Sequence, residues 1–380
     1  VEILSFWIHG REQALKLCVL ATGDSVYRYY KSIVIPFEQP RKVSSTAIVN
    51  GGYREDLTAV FNNDCNPGTG MACTMRAPTY QEHMRIITEE IGLDPATTAG
   101  MGTAASMENV AIHTECYENL TVTAIVTGGV EVNGGRVGDP ADYFKPIAKS
   151  TLEKPGTINI ILVIDADLPP GILNRVLVTC TEAKTAALQE LMAGSNYSTG
   201  LATGSGTDQT IVIANPASPL YLESAGKHSK LGELIGKAVL PAVKEALGKQ
   251  TGLSPRQQHS MLRRFKRYGI LEENLWQAYV GNTGKVVIKP KFLDVLHQID
   301  SDNYLVTYAA LYVHLLDELQ WELLSGIEVR QAANELLTAA ATKYGVEAPV
   351  IIGTCIDSCL KAWQSVLLAI IKKKCRELIG

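Results

Sequence analysis

Residues 157–164 form an almost unbroken run of apolar and β-branched side chains, which predicts a strand. Pro169, Pro170 and Gly171 then turn the chain into a helix running to about Leu191. From Ser198 to Thr210 the sequence places six Ser or Thr hydroxyls and three glycines beside Asp208, directly before a second strand, Ile211–Ala214. A core has no need for that density of small hydroxyl residues at a strand entrance, so the pattern predicts a site.

Upstream, short β-rich runs (Leu17–Ala21, Ser25–Phe37, Val43–Val49, Leu57–Asn62) are separated by turn residues, among them Asn50-Gly51-Gly52, a hairpin signal. A helix is predicted over Tyr80–Ile91, ended by Gly92, and a small polar stretch over Thr97–Ser106. Strands follow at Glu108–Glu115 and Leu120–Val126, and then a turn with five glycines between Gly128 and Gly138. Apolar residues at helical spacing predict another helix from about His228 to Leu247. Beyond about residue 251 the texture becomes helical, with runs at Pro255–Tyr268, Phe292–Ile299, Tyr304–Leu324, Ile327–Tyr344 and Ser358–Leu378 and one β-like interruption at Val286–Ile288. The expected organisation is an α+β domain over 1–251, with a largely antiparallel or mixed sheet covered by helices, and an all-α extension over 252–380. If the sheet is mixed, strands 157–164 and 211–214 run parallel across the intervening helix.

Composition narrows the function classes. With 46% hydrophobic and 19% charged residues the chain reads as an ordinary globular protein. A net charge of −4 argues against a dedicated nucleic-acid binder, and the basic clusters at Arg263, Arg264, Lys266 and Arg267 and at Lys372 to Arg376 read as solvated helix faces. Eight scattered cysteines contain no CxxC pair, which fits buried reduced thiols in the cytoplasm better than a zinc site. No signal peptide or membrane-inserting segment is expected, and a homo-oligomer is the default.

Several residues stand out chemically. On a helical wheel Lys184 shares a stripe with Leu173, Leu177, Cys180, Leu188 and Leu191. Such a lysine either snorkels to the surface or points inward at a carboxylate or a ligand acceptor. His228 falls on the stripe of Leu231 and Ile235, at a helix start, as a cap neighbour, core filler or ligand contact. His113 and Glu115 share a strand face, which suits an acid/base pair or plain exposed alternation. Neither glycine-rich turn matches a phosphate loop or a dinucleotide fingerprint, and HExxH and GxSxG are absent.

The ordered segments PGTINIILVIDADLP, TEAKTAALQEL, ATGSGTDQTIVIAN and AGKHSKLGELIGKAV, with the glycine turn ending Arg136-Val137-Gly138-Asp139, resemble the adenosylcobinamide amidohydrolase (CbiZ) family over about residues 40–250. Ser205 stands where the family usually has Thr, and the glycine turn differs in detail. The resemblance implies cleavage of the aminopropanol amide of adenosylcobinamide to give adenosylcobyric acid, in corrinoid salvage. Cobalt then enters with the substrate, and no protein cofactor is firmly implied. Within that reading Asp208 is the candidate base, and Lys184 or His228 supplies positive charge or a proton. Hydroxyls and N–H groups around Thr203, Gly204, Ser205, Gly206 and Thr207 hold the carbonyl oxygen or orient water. Asn50, Thr157 and Asn159 meet corrin amides, with Arg136 and Asp139 also on the substrate side. Two other readings carry different expectations: a non-catalytic corrinoid carrier, and a partner-docking role for the helical extension.

Overall fold

The computed structural model describes residues 14–66, 75–141, 156–283 and 287–377. These residues form two compact units, one through Ser254 and one from Pro255.

The first unit is α+β. A six-stranded sheet has the order β5 (Gly52–Arg54), β4 (Lys42–Ser45), β13 (Gln209–Ala214), β11 (Ile158–Ile164), β9 (Leu120–Gly128), β8 (Ala111–Tyr117). A five-stranded sheet runs β1 (Leu15–Val19), β2 (Ser25–Tyr29), β3 (Ser32–Pro36), β6 (Ala59–Asp64), β7 (Thr98–Thr103). Two pairs are parallel, β11 with β13 and β6 with β7; the other pairs are antiparallel. Each parallel pair is joined through a helix, α2 (Pro170–Glu190) for the first and α1 (Tyr80–Glu90) for the second, as parallel strands require.

The alternation of side chains explains why β11 is apolar throughout. Ile158, Ile160, Leu162 and Ile164 pack on α2 and on α3 (Lys230–Thr251), whereas Ile161 and Val163 face the five-stranded sheet with Ile211, Ile213, Ile33 and Val60. A strand between two cores cannot show the polar alternation of a half-exposed one. On the outer face of the five-stranded sheet, Phe61 and Val34 meet Met84 and Ile87 of α1. The layers are therefore helices, sheet, sheet, helix.

The structure redraws several expected elements. Ser25–Phe37 is two strands, because Tyr30 turns with φ +47°. The small polar stretch at 97–106 contains the buried strand β7. Its Gly100 admits the Phe61 ring and Met84, since a Cβ there would lie 2.3 Å from the ring.

Between the sheets at the other end of β4, Arg41 is fully buried. Its Nε donates to Asp24 Oδ2 (2.8 Å), and its Nη groups reach Thr22 O, Pro40 O and Asn215 Oδ1. Arg41→Met is expected to destabilise this unit by about 3–5 kcal/mol, because it strands a buried carboxylate. Urea unfolding followed by circular dichroism measures it.

The second unit is helical: α4 (Met261–Phe265), α5 (Glu272–Thr283), α6 (Lys289–Asp300), α7 (Asn303–Gln320), α8 (Gly326–Tyr344) and α9 (Ile356–Glu377). Phe265 and Trp363 stack in its core, with the Tyr312 ring tilted against both. Buried Asp317 takes a two-pronged bond from Arg267 and a third from Tyr268. The run expected from Pro255 becomes helical only at Met261, capped by Ser260, and α5 has no counterpart in the sequence reading. Val287 and Ile288 form no strand, and Val286 lies outside the described residues.

Candidate functional site

The two glycine-rich stretches meet. β10 (Gly134–Gly135) pairs antiparallel with β12 (Gly204–Ser205), which brings the 128–139 turn against the 203–208 turn. Thr203 Oγ1 accepts from Val137 N (2.9 Å). Asp139 Oδ2 accepts from Arg136 N (2.7 Å) and Ser195 Oγ (2.6 Å). Burial opposes ionisation of Asp139, but the Ser195 and Ser198 hydroxyls and the Arg136 N–H outweigh it and hold the carboxyl below its ordinary value. Arg136 itself is exposed, its side chain lying over Gly200.

At the 203–208 turn Lys184 of α2 and Asp208 form an ion pair with Nζ to Oδ2 at 2.5 Å, each side chain only 11% exposed. Of the orientations open to an apolar-face lysine, the structure shows the carboxylate partner. Asp208 Oδ2 also accepts from Ser205 N (3.0 Å), and Oδ1 accepts from Ile158 N (2.8 Å) and Ser205 Oγ (2.6 Å). Both oxygens are thus fully engaged, and the carboxylate ties α2, β11 and β12 together. Thr207 Oγ1 lies 2.6 Å from Thr157 Oγ1 and donates to Gly156 O. Gly204 is sterically required, because a Cβ would sit 2.4 Å from Asp208 Oδ2 and 2.8 Å from Lys184 Nζ. Gly206 has open space around it.

Directly after Asp208 a polar chain enters the space between the sheets. Gln209 N donates to Asn159 Oδ1 (3.2 Å), and Asn159 Nδ2 donates to Asn62 Oδ1 (2.7 Å) and Gly102 O (3.1 Å). Asn62 Nδ2 continues to Thr127 Oγ1 (2.8 Å). Asn159 is fully buried and its amide is spent on these bonds. The Gln209 side chain hydrogen-bonds Tyr80, whose hydroxyl accepts from Gly102 N (3.0 Å). Burial, with Cys65 nearby, pushes the Tyr80 phenol up to about 12. The Gln209 carbonyl oxygen is buried with no partner among the described residues.

At the same end of the sheets, beyond β6, a cavity of about 670 Å³ is lined by Lys31, Asp64, Cys65, Arg76, His83 and Glu90 among others. His83 of α1 is 3% exposed; its Nδ1 accepts from Arg76 N (3.1 Å), and its Nε2 lies 3.5 Å from Cys65 Sγ. An occupied Nδ1 places the ring proton on Nε2, toward the sulfur. Burial first, and the Arg76 charge second, lower the His83 pKa. The unfolded imidazole titrates near pH 6.5. Between that value and the lower folded one, the unfolded chain binds a proton that the folded chain refuses. This contribution is therefore complete above about pH 6.5 and is lost as the pH falls. His83→Asn, which keeps the acceptor for Arg76 N, is expected to flatten that part of the stability–pH curve measured by urea unfolding.

Other sequence candidates lie apart from this cluster. Asn50, at φ +53°, clips its loop to Pro95 O and Thr98 O, both at 2.7 Å. His228 is exposed and precedes α3, whose cap is Ser229, so it does not extend the apolar stripe. His113 pairs with Glu245 of α3 (2.6 Å). Cys65 and His83 were not singled out from sequence; a cysteine directly after a strand and a histidine on the apolar side of the next helix are the only signal for them.

Among solved structures, likeness is distant. The PH0078 protein of Pyrococcus horikoshii OT3 gives 13% identity and a TM-score of 0.29, over 62% of this chain and 82% of that one. The l-aminopeptidase d-Ala-esterase/amidase of Ochrobactrum anthropi gives 12% and 0.29, over 67% and 91%. Likeness at that level says nothing about a site. By sequence, the chain is 34% identical over 238 residues to the uncharacterized protein MJ1613 of Methanocaldococcus jannaschii, covering 60% of this chain and 89% of that protein. It is 31% identical over 209 residues to the adenosylcobinamide amidohydrolase of Methanosarcina mazei, covering 52% and 86%. Residues 18–255 match the profile of the adenosylcobinamide amidohydrolase family, CbiZ, which takes in both the 203–208 turn and the Cys65 cavity, and the chain belongs to that family.

Proposed function

We propose that this protein hydrolyses the amide joining aminopropanol to the corrin periphery of adenosylcobinamide, releasing adenosylcobyric acid. One observation carries the reading: the family match spans every described strand of the α+β unit after the first, with the three helices that cover its sheets. The corrinoid, with its cobalt, is the substrate.

Amide hydrolysis needs a nucleophile, donors for the developing oxyanion and a proton for the departing amine. Asp208 is the base proposed from sequence. With four donors already on its oxygens, it can take a proton only by giving one of them up, so we assign it and Lys184 to holding the 203–208 turn in shape. The Ser205 and Thr207 hydroxyls are likewise spent within the protein, on Asp208 and on Gly156 O, so the turn offers the substrate side a fixed shape, with Arg136 exposed beside it. Such a reaction places the protein in the salvage of scavenged corrinoids.

Incubation of the whole protein with adenosylcobinamide is expected to release aminopropanol and adenosylcobyric acid in equal amounts, measured by chromatography with mass detection. Tight binding with full recovery of intact adenosylcobinamide would instead mark a corrinoid carrier.

A further inference from the structure

We propose that Cys65 is the nucleophile of this hydrolysis, with the Nε2–H of His83 donating to its sulfur. The inference rests on the amide-hydrolysis reading above and deepens it by naming the attacking atom.

The cavity is the starting point. Cys65 lies in its wall at the exit of β6, held by a backbone bond from Cys65 N to Thr103 O (2.7 Å). Other thiols are placed differently. Cys180 is fully buried, and burial pushes it up to about 12. Cys359 and Cys375 are buried in the helical unit, and Cys116 is exposed on β8 beside Thr121. Cys65 alone among the described cysteines joins a cavity wall to a histidine nitrogen.

Its surroundings are built for that contact. His83 cannot turn its Nδ1 to the sulfur, because Arg76 N occupies it. The imidazole therefore offers an N–H to Sγ, which favours the thiolate, the reactive form of the residue. The thiol's own proton has an acceptor in Asn63, with Sγ 3.6 Å from Oδ1. Gly102 makes room, since a Cβ there would lie 3.0 Å from Sγ and 2.9 Å from the Tyr80 hydroxyl. Charges on the cavity wall are matched, Lys31 near Asp64 (3.9 Å) and Arg76 bound to Glu90.

The chemistry balances without an added reagent. Sγ bonds to the amide carbonyl carbon, the C–N bond breaks, and the thiol proton ends on the departing aminopropanol nitrogen. Water then attacks the thioester carbon, the C–S bond breaks, and one water proton returns to sulfur, leaving the carboxylic acid of cobyric acid.

Two measurements on the whole protein test this. Cys65→Ala is expected to lower aminopropanol release by about a thousandfold or more while adenosylcobinamide still binds, as followed by its absorption spectrum. Separately, peptide mapping after iodoacetamide treatment is expected to show Cys65 alkylated at least about tenfold faster than exposed Cys116. His83→Asn should abolish that advantage, and His83→Gln, whose amide N–H reaches toward the sulfur, should restore part of it. Turnover by Cys65→Ala within threefold of the parent (about 0.65 kcal/mol) overturns the inference and leaves the amidohydrolase reading standing. Alkylation of Cys65 no faster than that of Cys116 also overturns it. A parent protein that releases no aminopropanol overturns the amidohydrolase reading instead, and the alkylation experiment still decides whether the thiol is activated.

Discussion

Replacing Lys184 by Met is expected to cost about 3 kcal/mol of folding stability, the lower end of the range for breaking a buried ion pair. The end of the range follows from the geometry. Met fills the same space among Leu188, Cys180 and Ala187, so little packing is lost. The loss is electrostatic: Asp208 keeps Ile158 N, Ser205 N and Ser205 Oγ as donors but loses its cation in a place that is 11% exposed. Asp208→Asn alone should also be destabilising, because its amide N–H₂ would point at donors. Combined with Lys184→Met it should be milder than the sum, since removing the ammonium removes that conflict. Urea unfolding of the four proteins gives the cycle. A Lys184→Met loss below about 0.5 kcal/mol, the level of exposed pairs, would mean that the ammonium reaches solvent. Hydrolysis should fall with stability in these variants, because the pair fixes the turn that faces substrate. Normal stability with hydrolysis lost by about a hundredfold or more in Asp208→Asn would give Asp208 the proton-transfer role instead.

Gly204→Ala and Gly206→Ala, two positions apart in one turn, are expected to behave very differently. At Gly204 the new methyl collides with both partners of the ion pair, at 2.4 and 2.8 Å. Neither partner can retreat, as Asp208 is bonded to three backbone or hydroxyl donors and Lys184 is packed on α2. Overpacking of this kind costs about 1–3 kcal/mol, with a further loss as the pair separates. Gly206 meets nothing within 4 Å and has no positive φ, so Ala there should change stability by no more than about 0.5 kcal/mol. Equal effects at the two positions, measured by thermal unfolding, would contradict the placement of the turn around Asp208.

These contrasts show where the sequence was legible. Helix α2 was read to within a residue at each end, because Pro170 and the apolar stripe mark it locally. The Lys184–Asp208 contact was visible only as alternatives: the stripe pointed the lysine inward, but nothing in one dimension says which carboxylate meets it. Strand β7 was missed because its glycines, needed where Phe61 and Cys65 approach, carry no β signal of their own. Cys65 and His83 were missed for a similar reason. A strand end and a helix face 18 residues apart converge through packing of α1 on the five-stranded sheet, and no spacing rule announces that. Of the alternatives open for His228 the structure shows the cap neighbour, because the apolar stripe starts only after the Ser229 N-cap that opens the helix.

The central claim, that this chain splits an amide of a corrinoid with water, is tested most directly by running the reaction in water enriched in heavy oxygen. The account predicts that adenosylcobyric acid gains one heavy oxygen in its new carboxyl group while the released aminopropanol gains none. Intact adenosylcobinamide at the end of the incubation, or heavy oxygen in the aminopropanol, would contradict it.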